Sequence, residues 1–473
     1  MKGVLRQCAG NPRYFTDDSG KPIYLTGAST WGVFQKNEDS VTGEITFVID
    51  AEAYFSRMQE YGHNFIRLWC MESSVSLFNK ECVNRQFTWP MPYVRVGVRE
   101  EDGVPIFDLR RLNDVYFDEL RKICLLAKKY GIYVSVMLFE GWSVDTRNGY
   151  VFGVHPFHKG NNINGIDGEP FLSSMETALS GENDKNPFAP SEKIIVQTLE
   201  NTSITDIQKA YVRRVIETLN DLDHVMYEIC NEGLRWTRYW QYEMIRFIHK
   251  TEEAMPKQHP VWMSHLVPAQ NESLWISEAE AVSPGVESTA DDYCINPPAA
   301  DGRKVILADT DHLGGIWGTA QWVWKSFLRG LNPLFMDDVG MSTQKKDDES
   351  VCQLFGRWQY GLPDNWEEPV RVALGRARQW ADRIDLLHMQ PMEWVSSTGY
   401  CLANPGHEYL IYQPESGQFK VRLNGAEQTF YVEWYFIEED QRVEGKPFCC
   451  PMAVDFTPPA PGQVLLYLKE IQR

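Results

Sequence analysis

The residues of this chain that could move protons sit where short apolar runs stop. Val225 to Glu232 reads VMYEICNE, and its alternation of Val225, Tyr227 and Ile229 with Met226 and Cys230 predicts a strand buried on both faces. The run ends in Asn231-Glu232-Gly233, which sets an amide beside a carboxylate at the carboxyl end of that strand. In barrel enzymes this end of a strand is where catalytic groups gather. A structural alternative exists for Glu232, as an acid opening the next helix and favoured by its dipole.

Other runs end the same way. Arg67 lies in NFIRLW, closed by Trp69; Glu140 follows YVSVMLF and precedes Gly141-Trp142; His265 follows VWMS. Asp309-Thr310-Asp311-His312 follows KVILA, and Asp337-Asp338 follows NPLFM. Singly, each group reads as a structural ion pair. Together, at corresponding ends of successive strands, they describe a polar bowl. Two opposed carboxylates are what glycosidic cleavage requires, one to protonate the leaving oxygen and one to attack carbon or activate water. Glu232 on the fourth strand and Asp309 on the seventh would face each other across a barrel mouth. Asp309, Asp311 and His312 also offer hard oxygen and imidazole to a metal ion. No second His or Cys cluster at fixed spacing accompanies them, so neither metal nor cofactor is expected. Trp322 and Trp324, in QWVWKSF, are candidates for a sugar-stacking platform or for helical core, with Trp142 and Trp236 as weaker candidates for the rim.

Eight strand–helix alternations would position these groups. The strands are expected at 27–31, 64–69, 133–139, 225–230, 261–265, 281–283, 304–309 and 332–337, with helices from Asp50, Asp114, Ile204, Tyr239 and Gln321 and near 351–356 and 369–387. This pattern predicts a (β/α)₈ TIM barrel over residues 1–387, preceded by a hairpin turning at Asp17-Asp18-Ser19-Gly20. No Gly-rich phosphate loop follows the first strand, which removes a dinucleotide fold. The unpatterned stretch 148–190, rich in Gly, Asn and His, reads as a wall of the site. After Leu387 only short strands separated by turns remain, predicting a small all-β sandwich over 388–473.

Composition narrows the partners. A chain of 473 residues, 43% apolar, can bury a large core. Its net charge of -19 argues against nucleic acid, and no run of about eighteen apolar residues suggests a membrane span. The 16 Trp and 21 Tyr exceed what a core needs and suit stacking on sugar rings. Ten cysteines in unrelated contexts form no metal or disulfide framework. The opening residues lack the apolar core of a secretory signal, so a cytoplasmic protein is expected, or a periplasmic or secreted one whose leader has been removed.

Asn231-Glu232 ending strand four, a carboxylate ending strand seven and Arg67 on strand two resemble the retaining glycoside hydrolases of clan A, the cellulase-like (β/α)₈ enzymes. The segment NPRYFTDDSGKPIYLTG and the C-terminal sandwich resemble the related apiosidase-like group. The resemblance extends over most of the chain, and the strand-four pair is its strongest motif. It implies that Glu232 is the acid/base, that Asn231 holds a sugar hydroxyl and that Arg67 supports the nucleophile. Substrate contacts are expected from Trp69, Glu140, Trp142, His265, Asp311, His312, Trp322 and Trp324. The chain departs from its relatives at strand seven, where they usually carry Glu. Asp309 is the closer positional match and Asp311 the alternative. Asp is one methylene shorter, which could widen the carboxylate gap beyond the roughly 5–5.5 Å of retaining enzymes. The expected function is hydrolysis of O-glycosidic bonds in a plant or algal type oligo- or polysaccharide, with retention favoured. Two rivals stand beside it: a catalytically silent sugar-binding barrel, and a metal-assisted hydrolase or isomerase centred on Asp309 to His312.

Overall fold

Eight parallel strands run β1 (Gly27–Ser29), β2 (Phe65–Leu68), β3 (Tyr133–Glu140), β4 (Val225–Asn231), β5 (Val261–Ser264), β6 (Ala281–Ser283), β7 (Val305–Asp309) and β8 (Asn332–Met336). A computed structural model describes residues 1–46, 48–76, 83–145, 151–169, 194–288, 291–314, 318–337, 367–423, 428–449 and 452–471. The helix expected at 351–356, Asp338 and much of the 148–190 stretch lie outside them. From β2 to β8 each strand pairs with its sequence neighbour, and β8 pairs with β1 in the register Leu334 to Gly27. Where β1 meets β2, Asn64 N donates to Thr26 O at 3.0 Å, and a Cβ on Gly27 would stand 2.0 Å from Phe65 O. Glycine is what lets the two backbones close the barrel here.

Helices α1 (Ala51–Glu60), α2 (Asp114–Lys129), α3 (Thr202–Leu219), α4 (Arg238–Glu252), α5 (Glu272–Trp275), α6 (Ala320–Leu328) and α7 (Glu367–Arg383) follow β1, β2, β3, β4, β5, β7 and β8. Their starts are written in the sequence. Asp50 accepts from Glu52 N and Ala53 N, Asn113 from Val115 N and Asn201 from Ser203 N, so each side chain satisfies a donor that the first turn leaves open. Gly62 and Gly131, both at positive φ, stand just beyond α1 and α2. No helix among the described residues is long and apolar enough to cross a membrane.

The barrel interior is layered by the two-residue strand period. Phe65, Met226, Trp262, Ala281, Val305, Leu307 and Leu334 form one apolar cluster, joined by Leu5 and Phe15 of the N-terminal segment. Two residues on from Phe65, Met226 and Leu307, the same inward positions become Arg67, Glu228 and Asp309. The interior thus turns from apolar to charged as the strands approach their carboxyl ends.

Beyond the barrel lies an antiparallel sheet whose principal strands are β9 (Cys401–Asn404), β10 (Glu408–Gln413), β12 (Thr429–Phe436), β13 (Gln441–Glu444) and β15 (Val464–Glu470), in the order β9-β10-β15-β12-β13. A separate ribbon of β11 (Phe419–Arg422) and β14 (Ala453–Phe456) packs against it, with Phe419 and Phe456 edge-on to Trp434 at 6.1 and 6.2 Å. Aromatic side chains and ion pairs tie this region to the barrel. Trp324 meets Tyr435 at 6.3 Å, Trp380 meets Tyr467 at 5.7 Å, and Arg383 Nη2 donates to Glu433 Oε2 at 2.9 Å.

Candidate active site

Glu232 follows the last residue of β4 in the left-handed region, at φ 47°. A side chain with a Cβ holds that conformation only when its surroundings impose it. Here they do. Glu232 N donates to Ser264 Oγ at 3.0 Å, and Ser264 Oγ donates to Cys230 O at 2.8 Å. Gly141 N donates to Asn231 O at 2.7 Å, and a Cβ on Gly141 would come within 2.4 Å of Glu232 O. The end of β3 therefore presses on the turn from one side and β5 fixes it from the other. The carboxylate is aimed into the bowl with 31% of its side chain exposed.

Beneath it lies a buried charge network. Arg67 Nε donates to Glu228 Oε2 at 2.7 Å, Nη1 to Asp309 Oδ2 at 3.1 Å and Nη2 to Asn231 Oδ1 at 2.5 Å. The Arg67, Glu228 and Asp309 side chains have no exposed surface. Burial outweighs the attraction of Arg67 and leaves both carboxyls above the ordinary range. Asp309 Oδ1 also accepts from Asp311 N at 3.0 Å, so both of its oxygens are engaged. Trp69 caps the guanidinium at 5.0 Å and meets Trp31 edge-on at 5.6 Å. Glu228 is the charged residue that interrupts the apolar run VMYEIC, in register with Met226, and the apolar character of that run hid it. Trp31, at the end of the first inner segment, is a second residue that the sequence reading left out of the site.

The chain leaves β7 in a single π-helical turn, Thr310–Gly314, a form that recurs at functional sites. That turn separates Asp311 from Asp309. Asp311 has 16% of its side chain exposed, and burial, then the charges of Glu232 and Asp309, raise its carboxyl well above the usual range. His312 Nε2 lies 4.0 Å from Glu232 Oε1 and 3.9 Å from Asp311 Oδ2. Its Nδ1 pairs with Ser283 Oγ at 2.8 Å. His265 packs edge-on against His312 at 4.2 Å, with its Nε2 3.9 Å from Glu232 Oε1. Burial holds both imidazoles neutral, lowering His265 to about 3 and His312 well below its ordinary value. The metal set Asp309, Asp311 and His312 considered from sequence does not converge, because Asp309 is turned to Arg67. The atoms that do converge belong to Glu232, His265 and His312, all within 4.8 Å of one another.

Several candidates stand elsewhere. Trp322 and Trp324 of α6 are fully buried: Trp322 Nε1 donates to Tyr293 O at 2.9 Å, and Trp324 packs beneath Tyr435. Neither offers a face to a sugar, because α6 turns both indoles into the packed core. Glu140 is buried behind the bowl, accepting from Ser143 N at 2.8 Å, while its own backbone N donates to Glu72 Oε2 at 3.0 Å. Burial and then the Glu72 charge push its carboxyl up to about 7. Trp142 begins a short 3₁₀ turn after β3 and is half-buried. Asp337 is held by Arg371, whose Nε donates to Asp337 Oδ2 at 3.0 Å.

The model of the apiosidase-like catalytic domain family matches residues 9–163, from the N-terminal hairpin past β3. Among solved structures the chain is similar to a glycoside hydrolase at 13% identity, covering 99% of this chain and 97% of that one with a TM-score of 0.61. It is also similar to a putative glycoside hydrolase from Bacteroides vulgatus, at 13% identity over 99% and 82% of the two chains, TM-score 0.61. A glycoside hydrolase family 5 structure from the same organism gives 12% identity over 99% and 93%, TM-score 0.60. At such identities the likeness speaks for the fold, a barrel of eight parallel strands with a C-terminal antiparallel region. No curated protein sequence matches the chain. The family match and the barrel together support a glycoside hydrolase, as the sequence resemblance implied.

Proposed function

We propose that this protein hydrolyses O-glycosidic bonds of an oligo- or polysaccharide of plant or algal type, with Glu232 and Asp311 as the two working carboxylates. One observation carries the assignment. Of the described strand-end acids, Glu232 and Asp311 show exposed surface, and both lie about 4 Å from the same atom, His312 Nε2. Asp309, the closer positional match to the relatives' nucleophile, has no surface to offer, and its role in this reading is to hold Arg67 and the Asp311 backbone.

The chemistry follows from the shared enclosure. The charge of Glu232 is, after burial, a cause of the raised Asp311 carboxyl, so each of the two feels the other's ionisation. Glycosidic cleavage needs one acid and one base from such a pair. Glu232, at the end of β4 where the resemblance places the acid/base, takes that role in this reading, and its protonation removes a charge that helps to raise Asp311. Asp311 is the nucleophile. Their oxygens stand no more than about 8 Å apart through His312, and modest side-chain rotation on substrate binding reaches the roughly 5–5.5 Å of a retaining pair. His265, with 11% of its side chain exposed, is a hydrogen-bond partner for a sugar hydroxyl, while Asn231, whose Oδ1 is held by Arg67, and His312 are buried. Residues 1–387 form the catalytic unit in this reading, and 388–473 form a β-sandwich that supports the barrel without binding glycan itself.

Hydrolysis of a panel of aryl glycosides tests the activity, and Glu232→Gln tests the roles. The variant should lose about 10²–10⁴-fold on poor leaving groups and far less on activated ones. Loss with that leaving-group dependence in Asp311→Asn instead would exchange the two roles. No hydrolysis across the panel, together with tight oligosaccharide binding, would favour the silent sugar-binding barrel.

A further inference from the structure

We propose that Glu232, His265 and His312 form a binding site for a divalent transition-metal ion such as Zn²⁺, and that the filled site is an inhibited state of the enzyme. The binding stands on the geometry alone. The inhibition rests on the reading of Glu232 as the acid/base.

Three ligand atoms already face one another: Glu232 Oε1 lies 3.9 Å from His265 Nε2 and 4.0 Å from His312 Nε2, and all three atoms fall within 4.8 Å. A tetrahedral ion with bonds of about 2.0–2.2 Å draws such atoms to about 3.4 Å from one another. Closing that gap needs about half an ångström from each side chain, and the Glu232 carboxylate, partly exposed, has the freedom to move. His312 is the anchor. Its Nε2 is buried and has no hydrogen-bond partner among the described residues, while the opposite ring nitrogen pairs with Ser283 Oγ at 2.8 Å. A buried nitrogen without a partner is costly, and a bound cation would relieve that cost. With metal on Nε2, His312 Nδ1–H donates to Ser283 Oγ, the outer hydrogen bond that ligating histidines commonly make.

The donor set selects the ion. Two imidazoles and one carboxylate suit Zn²⁺, Co²⁺, Ni²⁺ or Cu²⁺, whereas Ca²⁺ and Mg²⁺ take oxygen shells. Asp311 Oδ2, 3.9 Å from His312 Nε2, or a water from the open bowl stands ready for the fourth position. A filled site draws the Glu232 carboxylate onto the metal and denies the reaction its proton donor.

The test is a titration of chelator-stripped protein with Co²⁺, followed by the visible absorption of four-coordinate cobalt and by displacement with Zn²⁺. One equivalent should bind with that absorption. His265→Ala should weaken binding by about 10²-fold or more, and Ser283→Ala by about 10–100-fold through loss of the outer hydrogen bond. His265→Gln, which keeps the bulk of the ring, guards against a folding artefact, and far-ultraviolet circular dichroism checks each variant. No four-coordinate signal in the wild type would overturn the site, and so would one undiminished in both His265 variants. In parallel, the stripped protein should hydrolyse an aryl glycoside, stop with one equivalent of Zn²⁺ and recover with chelator. Activity that requires Zn²⁺ would overturn the inhibition and the two-carboxylate reading together, leaving the site. Full activity in stripped protein with no Co²⁺ bound would overturn the site and leave the reading intact.

Discussion

Replacing Arg67 by Met removes the one cation shared by two buried acids. The stem is kept, but Glu228, 2.7 Å from Arg67 Nε, and Asp309, 3.1 Å from Nη1, lose their counter-charge where no solvent reaches them. Both carboxyls already lie above the ordinary range, and without Arg67 the folded protein must hold at least one of them protonated. Holding one carboxyl protonated at pH 7, about three units above an unfolded value near 4, costs about 4 kcal/mol at about 1.36 kcal/mol per unit. That agrees with the roughly 3–5 kcal/mol lost when a buried ion pair is broken from one side. The sign is fixed by proton binding. The folded variant binds protons that the unfolded chain has released, so its stability falls as pH rises from about 4 to neutrality. Urea midpoints at pH 5 and pH 7 should therefore show a deficit against wild type of about 1.5 kcal/mol at the lower pH and about 4 kcal/mol at the higher. Adding Glu228→Gln and Asp309→Asn should recover most of the loss at pH 7. A deficit equal at the two pH values would refute the buried network.

Two further outcomes follow from the same geometry. Glu140 is raised to about 7, so folding retains its proton from about pH 4.5 to 7 and this contributes a decline in wild-type stability across that window; Glu140→Gln should remove that contribution and gain up to about 3 kcal/mol at pH 8, read by urea midpoints across the range. Gly141→Ala places a methyl within 2.4 Å of Glu232 O and must displace the turn that carries Glu232, so kcat should fall by about 10²-fold with the circular dichroism unchanged; unaltered kcat would show that the turn is not held from β3.

The barrel was legible because its signals are local. Asp50, Asn113 and Gly131 mark helix ends, and the period of two marks strands, so all eight strands fall within a few residues of expectation. Asn231-Glu232 was legible for the same reason, as a polar stop to an apolar run. What could not be read was the choice between Asp309 and Asp311. The proposed choice rests on strand parity, which turns Asp309 inward to Arg67, and on the π-helical turn that follows, where Asp311 keeps some exposed surface. Nothing in Asp-Thr-Asp-His announces that turn. Glu228 was hidden by its apolar neighbours, although parity with Met226 would have exposed it. Trp322 and Trp324 were ambiguous because helical spacing alone does not say which face meets the β-sheet region.

Rescue by azide tests the central claim most directly. With an aryl glycoside from the panel, Asp311→Ala should lower hydrolysis by more than about 10²-fold. Azide should then restore turnover of the aryl group and yield a glycosyl azide, because the small anion fits the space left by the missing carboxylate and attacks in its place. Azide rescue in Asp309→Ala, with Asp311→Ala as active as wild type, would contradict the account and return the second carboxylate to the buried residue.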